Sequence, residues 1–284
     1  MRRLAWSLTV VAMLGIGMVG MGGCGQDEPS FRPASIGEGR ASAQDRQRPS
    51  RPAQEEGARI PQGIEEAGPT VTEVQGANAA LLDPRRATER APEVYTVELD
   101  TTEGPIQIEV HRAWAPNGAD RFYNLVRIGF FTDVSFFRVV EGFMAQAGIH
   151  GRADVNAAWR SANIPDDPVV EHNVPGMVSY AMGGPNTRTT QFFINLVDNR
   201  RLDPMGFAPF GRVREQDMAV VRRLHAGYGE GAPAGRGPMQ ARIQREGNAY
   251  LRAEFPELDA IRSARIVPNA GASGVPGARP QAPR

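Results

Sequence analysis

Residues 135–148 read Ser135-Phe136-Phe137-Arg138-Val139-Val140-Glu141-Gly142-Phe143-Met144-Ala145-Gln146-Ala147-Gly148. An arginine between aromatic and β-branched residues, then Glu-Gly, then Phe, Met and Gln, is the pattern of two strands joined by a tight turn. Side chains alternate faces along a strand, so Phe136, Arg138 and Val140 are expected on one face, as are Met144, Gln146 and Gly148 after the turn. Arg138 and Gln146 can then meet on one wall. A guanidinium keeps its proton, so Arg138 is either a surface charge or a fixed donor aimed at something electron-rich.

Working outward, Val94–Leu99 and Ile106–Val110 alternate apolar and polar residues around a turn at Thr101–Pro105, which makes a hairpin. Pro116-Asn117 precedes Phe122, Leu125, Val126 and Gly129 at helical spacing, with Asn117 able to cap the helix and Gly129 to end it. After a long connection, 149–175, strands are expected at Met177–Ala181, Gln191–Leu196, Phe210–Val213 and Ala264–Val267, and a second helix over Glu215–His225. Asp166-Asp167-Pro168 in the connection reads as turn chemistry. The glycine-rich run 227–238 lacks the Gly-Lys-Ser/Thr ending of a phosphate loop and reads as an insertion. Eight short strands with two α-helices suit a mostly-β fold: a closed eight-stranded antiparallel barrel, filled with side chains and binding on its outer face.

Composition narrows the function. The 284 residues carry 32 basic and 32 acidic side chains, so no global field draws the chain to nucleic acid. Every basic residue is Arg, and these are scattered. His111, His150, His172 and His225 are not at metal-ligand spacing, and neither a metal nor a cofactor is expected. With a single cysteine, Cys24, an internal disulfide is impossible and the fold must rest on its apolar core.

The ends are of another kind. Met1-Arg2-Arg3 followed by the apolar run Leu4–Met21 has the character of a secretory signal. It ends Met21-Gly22-Gly23-Cys24, which resembles the lipobox of bacterial lipoproteins, in which the cysteine is acylated. Residues 1–24 are therefore expected to be a signal peptide ending at an acylated Cys24, giving a lipid anchor on a bacterial membrane at the cell envelope. Residues 25–92, rich in Gly, Pro, Ala, Gln, Arg and Glu, read as a disordered linker with a span of roughly 45 Å. The folded domain is expected over 93–268, with a disordered tail at 269–284.

A second stretch changes the reading of Arg138: Met177-Val178-Ser179-Tyr180-Ala181-Met182-Gly183-Gly184-Pro185-Asn186-Thr187-Arg188-Thr189-Thr190-Gln191-Phe192-Phe193-Ile194-Asn195. The pattern F-x-R-x-x-x-G-F-M-x-Q-x-G is matched by Phe136 to Gly148, and A-x-x-G-P-N-T-x-x-x-Q-F-F-I by Ala181 to Ile194. Together the two stretches resemble the cyclophilin family of peptidyl-prolyl cis-trans isomerases, a likeness that runs from about Val94 to Val267. The resemblance implies the same barrel, with Arg138 as catalytic donor and Gln146 positioning it or the substrate backbone. It further implies a proline pocket of Phe143, Met144, Phe193 and Leu202, and a peptide-pairing edge of Ala181, Met182 and Gly183 with Gln191 beside it. Three positions depart from the best-known members: Met182 where Asn is usual, Arg201 where many have Trp, and Phe207 in place of a His.

Such a site needs no acid, base or nucleophile. Turning an amide breaks resonance worth about 18–20 kcal/mol, and a catalyst need only be complementary to the twisted state. The expected partners are proline-containing peptides and unfolded exported proteins, with the membrane reached through the anchor and the chain a monomer. The competing expectation is a membrane-tethered peptide-binding or chaperone module with no required turnover.

Overall fold

The computed structural model describes residues 79–268. The expected signal segment, acylated Cys24, the linker up to residue 78 and the tail from 269 lie outside the described residues. The hairpin read from alternation is present as β1 (Val94–Thr101) and β2 (Gly104–His111), paired in antiparallel register from Val94↔His111 to Thr101↔Gly104. Tyr95, Val97, Leu99, Ile106, Ile108 and Val110 are buried, as period two requires.

Helix α1 (Pro116–Arg127) lays Phe122 on this core, where its ring meets those of Phe131, Phe192 and Phe210. Asn117 does not cap it. The N-terminal N–H groups of Asn117 and Gly118 are instead accepted by the two Asp167 carboxylate oxygens at 3.0 and 2.9 Å, and Asp167 also takes a hydrogen bond from buried Arg188. Asp167 is thus a helix cap supplied from a distance rather than a turn residue, satisfying donors that every helix start leaves open.

Seven strands follow: β3 (Val134–Ser135), β4 (Arg138–Val140), β5 (Met144–Ala147), β6 (Met177–Tyr180), β7 (Phe192–Asn195), β8 (Pro209–Val213) and β9 (Ala260–Val267). All belong to one antiparallel sheet of nine strands, in the order β3-β9-β1-β2-β8-β6-β7-β5-β4. The fold is mostly β, but the closed eight-stranded barrel is corrected to an open, curled nine-stranded sheet. Its two edges, β3 and β4, are separated along the chain only by Phe136-Phe137, so the sheet must curl until they are neighbours, yet no ladder joins them.

The ninth strand arises where one was expected. Phe136 enters the main core while Phe137 enters a second cluster with Ile149, Ile243, Tyr250 and Leu251. The chain bends between these destinations, β3 pairing with β9 and β4 with β5. Phe136 therefore does not share a face with Arg138, as simple alternation had it.

The helix expected over Glu215–His225 is a 3-10 turn (Glu215–Asp217) followed by α3 (Met218–Val221), ending earlier than its apolar spacing suggested. Three short helices were not anticipated: α2 (Ala153–Trp159) in the long connection, and α4 (Gln240–Glu246) and α5 (Asn248–Glu254) after the glycine-rich run. Helices this short owe their stability to packing rather than propensity. Residues 79–92, which composition assigned to the linker, are held on the domain: Ala80 and Ala91 are buried, Trp159 Nε1 donates to the Leu81 carbonyl at 2.9 Å, and Ala91 N–H donates to Asp120 at 2.9 Å. Among the described residues no helix is long and apolar enough to cross a membrane.

Candidate functional site

The β4–β5 ladder sets Arg138 opposite Gln146, and the next ladder sets Gln146 opposite Phe193. Side chains of facing residues project to the same side of a sheet, so the guanidinium and the amide meet as the alternation anticipated. Arg138 Nη1 donates to Gln146 Oε1 at 2.9 Å, and Gln146 Nε2 donates to Gln191 Oε1 at 2.9 Å. Gln146 is buried, so both its polar atoms are fixed by these partners.

The apolar residues assigned to a pocket gather beside this chain. Met144, Phe193 and Leu202 form a buried cluster separate from the main core, with Phe143, Phe207, Ala181 and Val140 partly buried against it. The Phe193 and Phe207 rings stand edge to face at 5.8 Å between centroids. Two cations flank the Phe143 ring: the Arg138 guanidinium carbon at 5.6 Å from its centroid and that of Arg201 at 4.9 Å. Arg201 is exposed, and no carboxylate among the described residues pairs with it.

Ala181, Met182 and Gly183 continue past the end of β6, whose own edges are already taken by β7 and β8. The Ala181 N–H donates to the Gln191 carbonyl and the Gly183 N–H to the Thr187 hydroxyl, each at 2.9 Å. Between them, the Met182 backbone groups have no partner among the described residues. Unpaired main-chain groups beside an apolar notch can take an extended peptide by strand-like pairing.

Sequence reasoning missed what lies beneath. Asn173, Ser179, Asn195 and Asn199 are fully buried and linked by hydrogen bonds: Ser179 Oγ and Asn195 Nδ2 donate to Asn173 Oδ1 at 2.8 and 3.2 Å, and Asn199 Nδ2 donates to Asn195 Oδ1 at 2.9 Å. From this network Asn199 Nδ2 reaches the Phe143 carbonyl at 2.9 Å, and Asn173 Nδ2 reaches the Phe207 carbonyl at 2.8 Å. Two walls of the notch thus hang on buried amides. Burial pushes the Asp203 carboxyl up, but hydrogen bonds from Asn173 and His172 outweigh it and leave the group below its ordinary range. Asn195, Asn199 and Asp203 recur every four residues, which was the one available signal.

Glu230 was also missed. It lies in the glycine-rich insertion, and its carboxylate pairs side-on with Arg138, Oε1 accepting from Nε and Oε2 from Nη2, both at 2.6 Å. Such a bidentate fork is geometrically specific as well as strong. A run read as a bare insertion thus delivers a carboxylate to the site.

Comparison with known proteins bears on this arrangement. Residues 96–245 match the family model described as cyclophilin type peptidyl-prolyl cis-trans isomerase. The chain is 37% identical over 131 residues to peptidyl-prolyl cis-trans isomerase-like 1 of Rhizopus delemar, spanning 45% of this chain and 78% of that relative. It is 35% identical over 131 residues to peptidyl-prolyl cis-trans isomerase ppi1 of Schizosaccharomyces pombe, spanning 45% of this chain and 83% of the relative. A solved cyclophilin type peptidyl-prolyl cis-trans isomerase of Cryptosporidium parvum aligns with a TM-score of 0.46 at 18% identity, covering 62% of this chain and 99% of that one.

Proposed function

This chain belongs to the cyclophilin-type peptidyl-prolyl cis-trans isomerases and is an isomerase of that type, and from that premise we propose that Arg138 is the group that stabilises the twisted prolyl amide. Before proline both isomers are populated, and unaided exchange takes about 10–100 s. As the C–N bond turns, the nitrogen lone pair localises and becomes an acceptor it was not in the planar amide. A guanidinium N–H aimed at that nitrogen contributes only once twisting has begun, so its effect falls on the barrier rather than on binding.

The observation that carries this reading is the convergence of Arg138, held by Gln146 at 2.9 Å, with a notch of Phe143, Met144, Phe193, Leu202 and Phe207 built outside the main core. The proline ring is proposed to seat in that notch, with the free Met182 backbone pairing the extended peptide. Exchange measured by NMR or by a protease-coupled assay on Ala-Pro peptides tests it. In Arg138→Ala, turnover is expected to fall by about 100- to 1000-fold with peptide affinity retained. Equal rates in the two proteins reject the role of Arg138, and bound peptide without turnover in wild type favours the binding module instead.

We also propose that the isomerase acts on exported proteins from a lipid anchor at Cys24, on the extracytoplasmic face of a membrane. The support is the sequence alone: two arginines, the apolar run Leu4–Met21 and small residues before the cysteine. Acyl chains contribute about 0.8 kcal/mol per buried methylene, so two or more suffice for stable anchoring. Palmitate label that incorporates into wild type and disappears in Cys24→Ala is the expected result, and unlabelled wild-type protein rejects it.

A further inference from the structure

We infer that Glu230 is a positioning residue for the isomerisation, fixing the plane of the Arg138 guanidinium so that its remaining N–H groups meet the substrate; this rests on the reading of Arg138 as donor. A guanidinium has five N–H bonds. Glu230 accepts one from Nε and one from Nη2, and Gln146 accepts one from Nη1. One N–H is left on each Nη, and two partners on different sides of the plane's edge oppose its rotation. The acceptor at the transition state is a neutral nitrogen with a directional lone pair, so the angle of the donor matters more than its net charge.

The loop that carries Glu230 is built around it. The Glu230 carbonyl accepts from Gly237 N–H at 2.8 Å, and its side chain accepts from Gly231 N–H at 2.9 Å. A Cβ on Gly235 would overlap that same carbonyl, so only glycine lets the chain pass. Both ends of the loop are buttressed by the second helical cluster. The Tyr228 ring stands edge to face with Phe255 at 5.0 Å, and Met239 N–H donates to the Tyr250 hydroxyl at 3.1 Å. Tyr250 shares its buried cluster with Phe137, the residue next to Arg138. A cover that had to swing away for the substrate would not be pinned at both ends to one packed cluster. Helices α4 and α5 thereby acquire a role, holding the carboxylate in register with β4.

The test separates kcat from KM for Ala-Pro peptides in the full chain. Glu230→Gln, which keeps the shape, is expected to lower kcat by about 10-fold with KM unchanged, the cost of a misplaced donor. Glu230→Asp should recover part of that loss. Gly235→Ala, which keeps the carboxylate but displaces its backbone, should lower kcat in the same way. Added to Arg138→Ala, Glu230→Gln should have no further effect, because the two act as a unit. The inference is overturned if Glu230→Gln keeps the wild-type kcat, if it turns over faster, as relief of a blocking contact would cause, or if its loss simply multiplies that of Arg138→Ala. Full activity in Arg138→Ala would instead sink the donor role itself, a distinct outcome.

Discussion

Gly148 and Thr190 stand so close that the Thr190 carbonyl oxygen occupies the space a side chain at 148 would need, and the Thr190 hydroxyl donates to the Gly148 carbonyl at 2.7 Å. Gly148 also has φ +105, outside the range other residues readily adopt. This contact closes the β5–β7 pairing two residues beyond Gln146. Gly148→Ala is expected to destabilise the domain by about 3 kcal/mol or more, overlap and backbone strain acting together. Urea unfolding measures it, and a loss under about 1 kcal/mol would mean that the two strands part easily.

Asn173 serves four partners at once: it receives hydrogen bonds from Ser179 and Asn195 and donates to Asp203 and the Phe207 carbonyl. Asn173→Leu leaves all four buried or half-buried groups short of a partner, at about 1–3 kcal/mol for each that finds no water. Unfolding free energy should drop by about 3 kcal/mol or more. Because Phe207 and Phe143 hang on the same network, KM for the peptide should rise more than kcat falls. An unchanged KM in the folded variant would show that the notch holds its shape without the network.

His150 gives the stability a pH dependence. Burial, with the Arg152 guanidinium nearby, pushes its imidazole down to about 4. The unfolded chain, with an ordinary histidine pKa of about 6.5, then binds the extra proton that the folded chain refuses. Stability from this group is complete above the unfolded value and is lost as pH falls from about 6.5 towards 4, by up to about 3 kcal/mol. Below that window the contribution is constant. Denaturant unfolding at pH 7 and pH 4.5 should show a drop in wild type that is smaller in His150→Asn, in which a side-chain oxygen can still accept from Arg152 N–H. Parallel curves for the two proteins would place the proton uptake elsewhere.

Arg201 sets a charge preference at the rim. Its guanidinium lies over the Phe143 ring at 4.9 Å and is exposed. Arg138, by contrast, is already neutralised by Glu230. Peptides with Glu before the proline should therefore be turned over faster than those with Lys, by a factor of about 5 at most, as expected for a solvated pair. The preference should fade in high salt and vanish in Arg201→Ala. A preference that survives both would have another source.

Much of the site was legible in the sequence because it is made of neighbours along strands. Arg138 and Gln146 meet because period two and one tight turn decide the pairing, and Phe143, Met144 and Phe193 of the notch fall in two ordered motifs, with Leu202 and Phe207 following them. Phe136 was misplaced by the same rule, since alternation holds only while a strand is straight. At that point the chain bends and sends Phe136 and Phe137 to separate clusters.

What the chain alone determined, then, is the hairpin register and the apolar faces, consequences of backbone geometry acting over a few residues, while the notch residues were named by the family resemblance that its two motifs carry. Tertiary structure decided the rest: that Asp167 caps α1 from 49 residues away, and that Glu230 grips Arg138 across 92 residues. It also decided that two short helices stand where the sequence offered only a glycine-rich run and its sequel. A carboxylate carries no periodic signal. Its partner is chosen by whichever buried or half-buried donors the packed core brings within reach, and that is settled only when the sheet has curled.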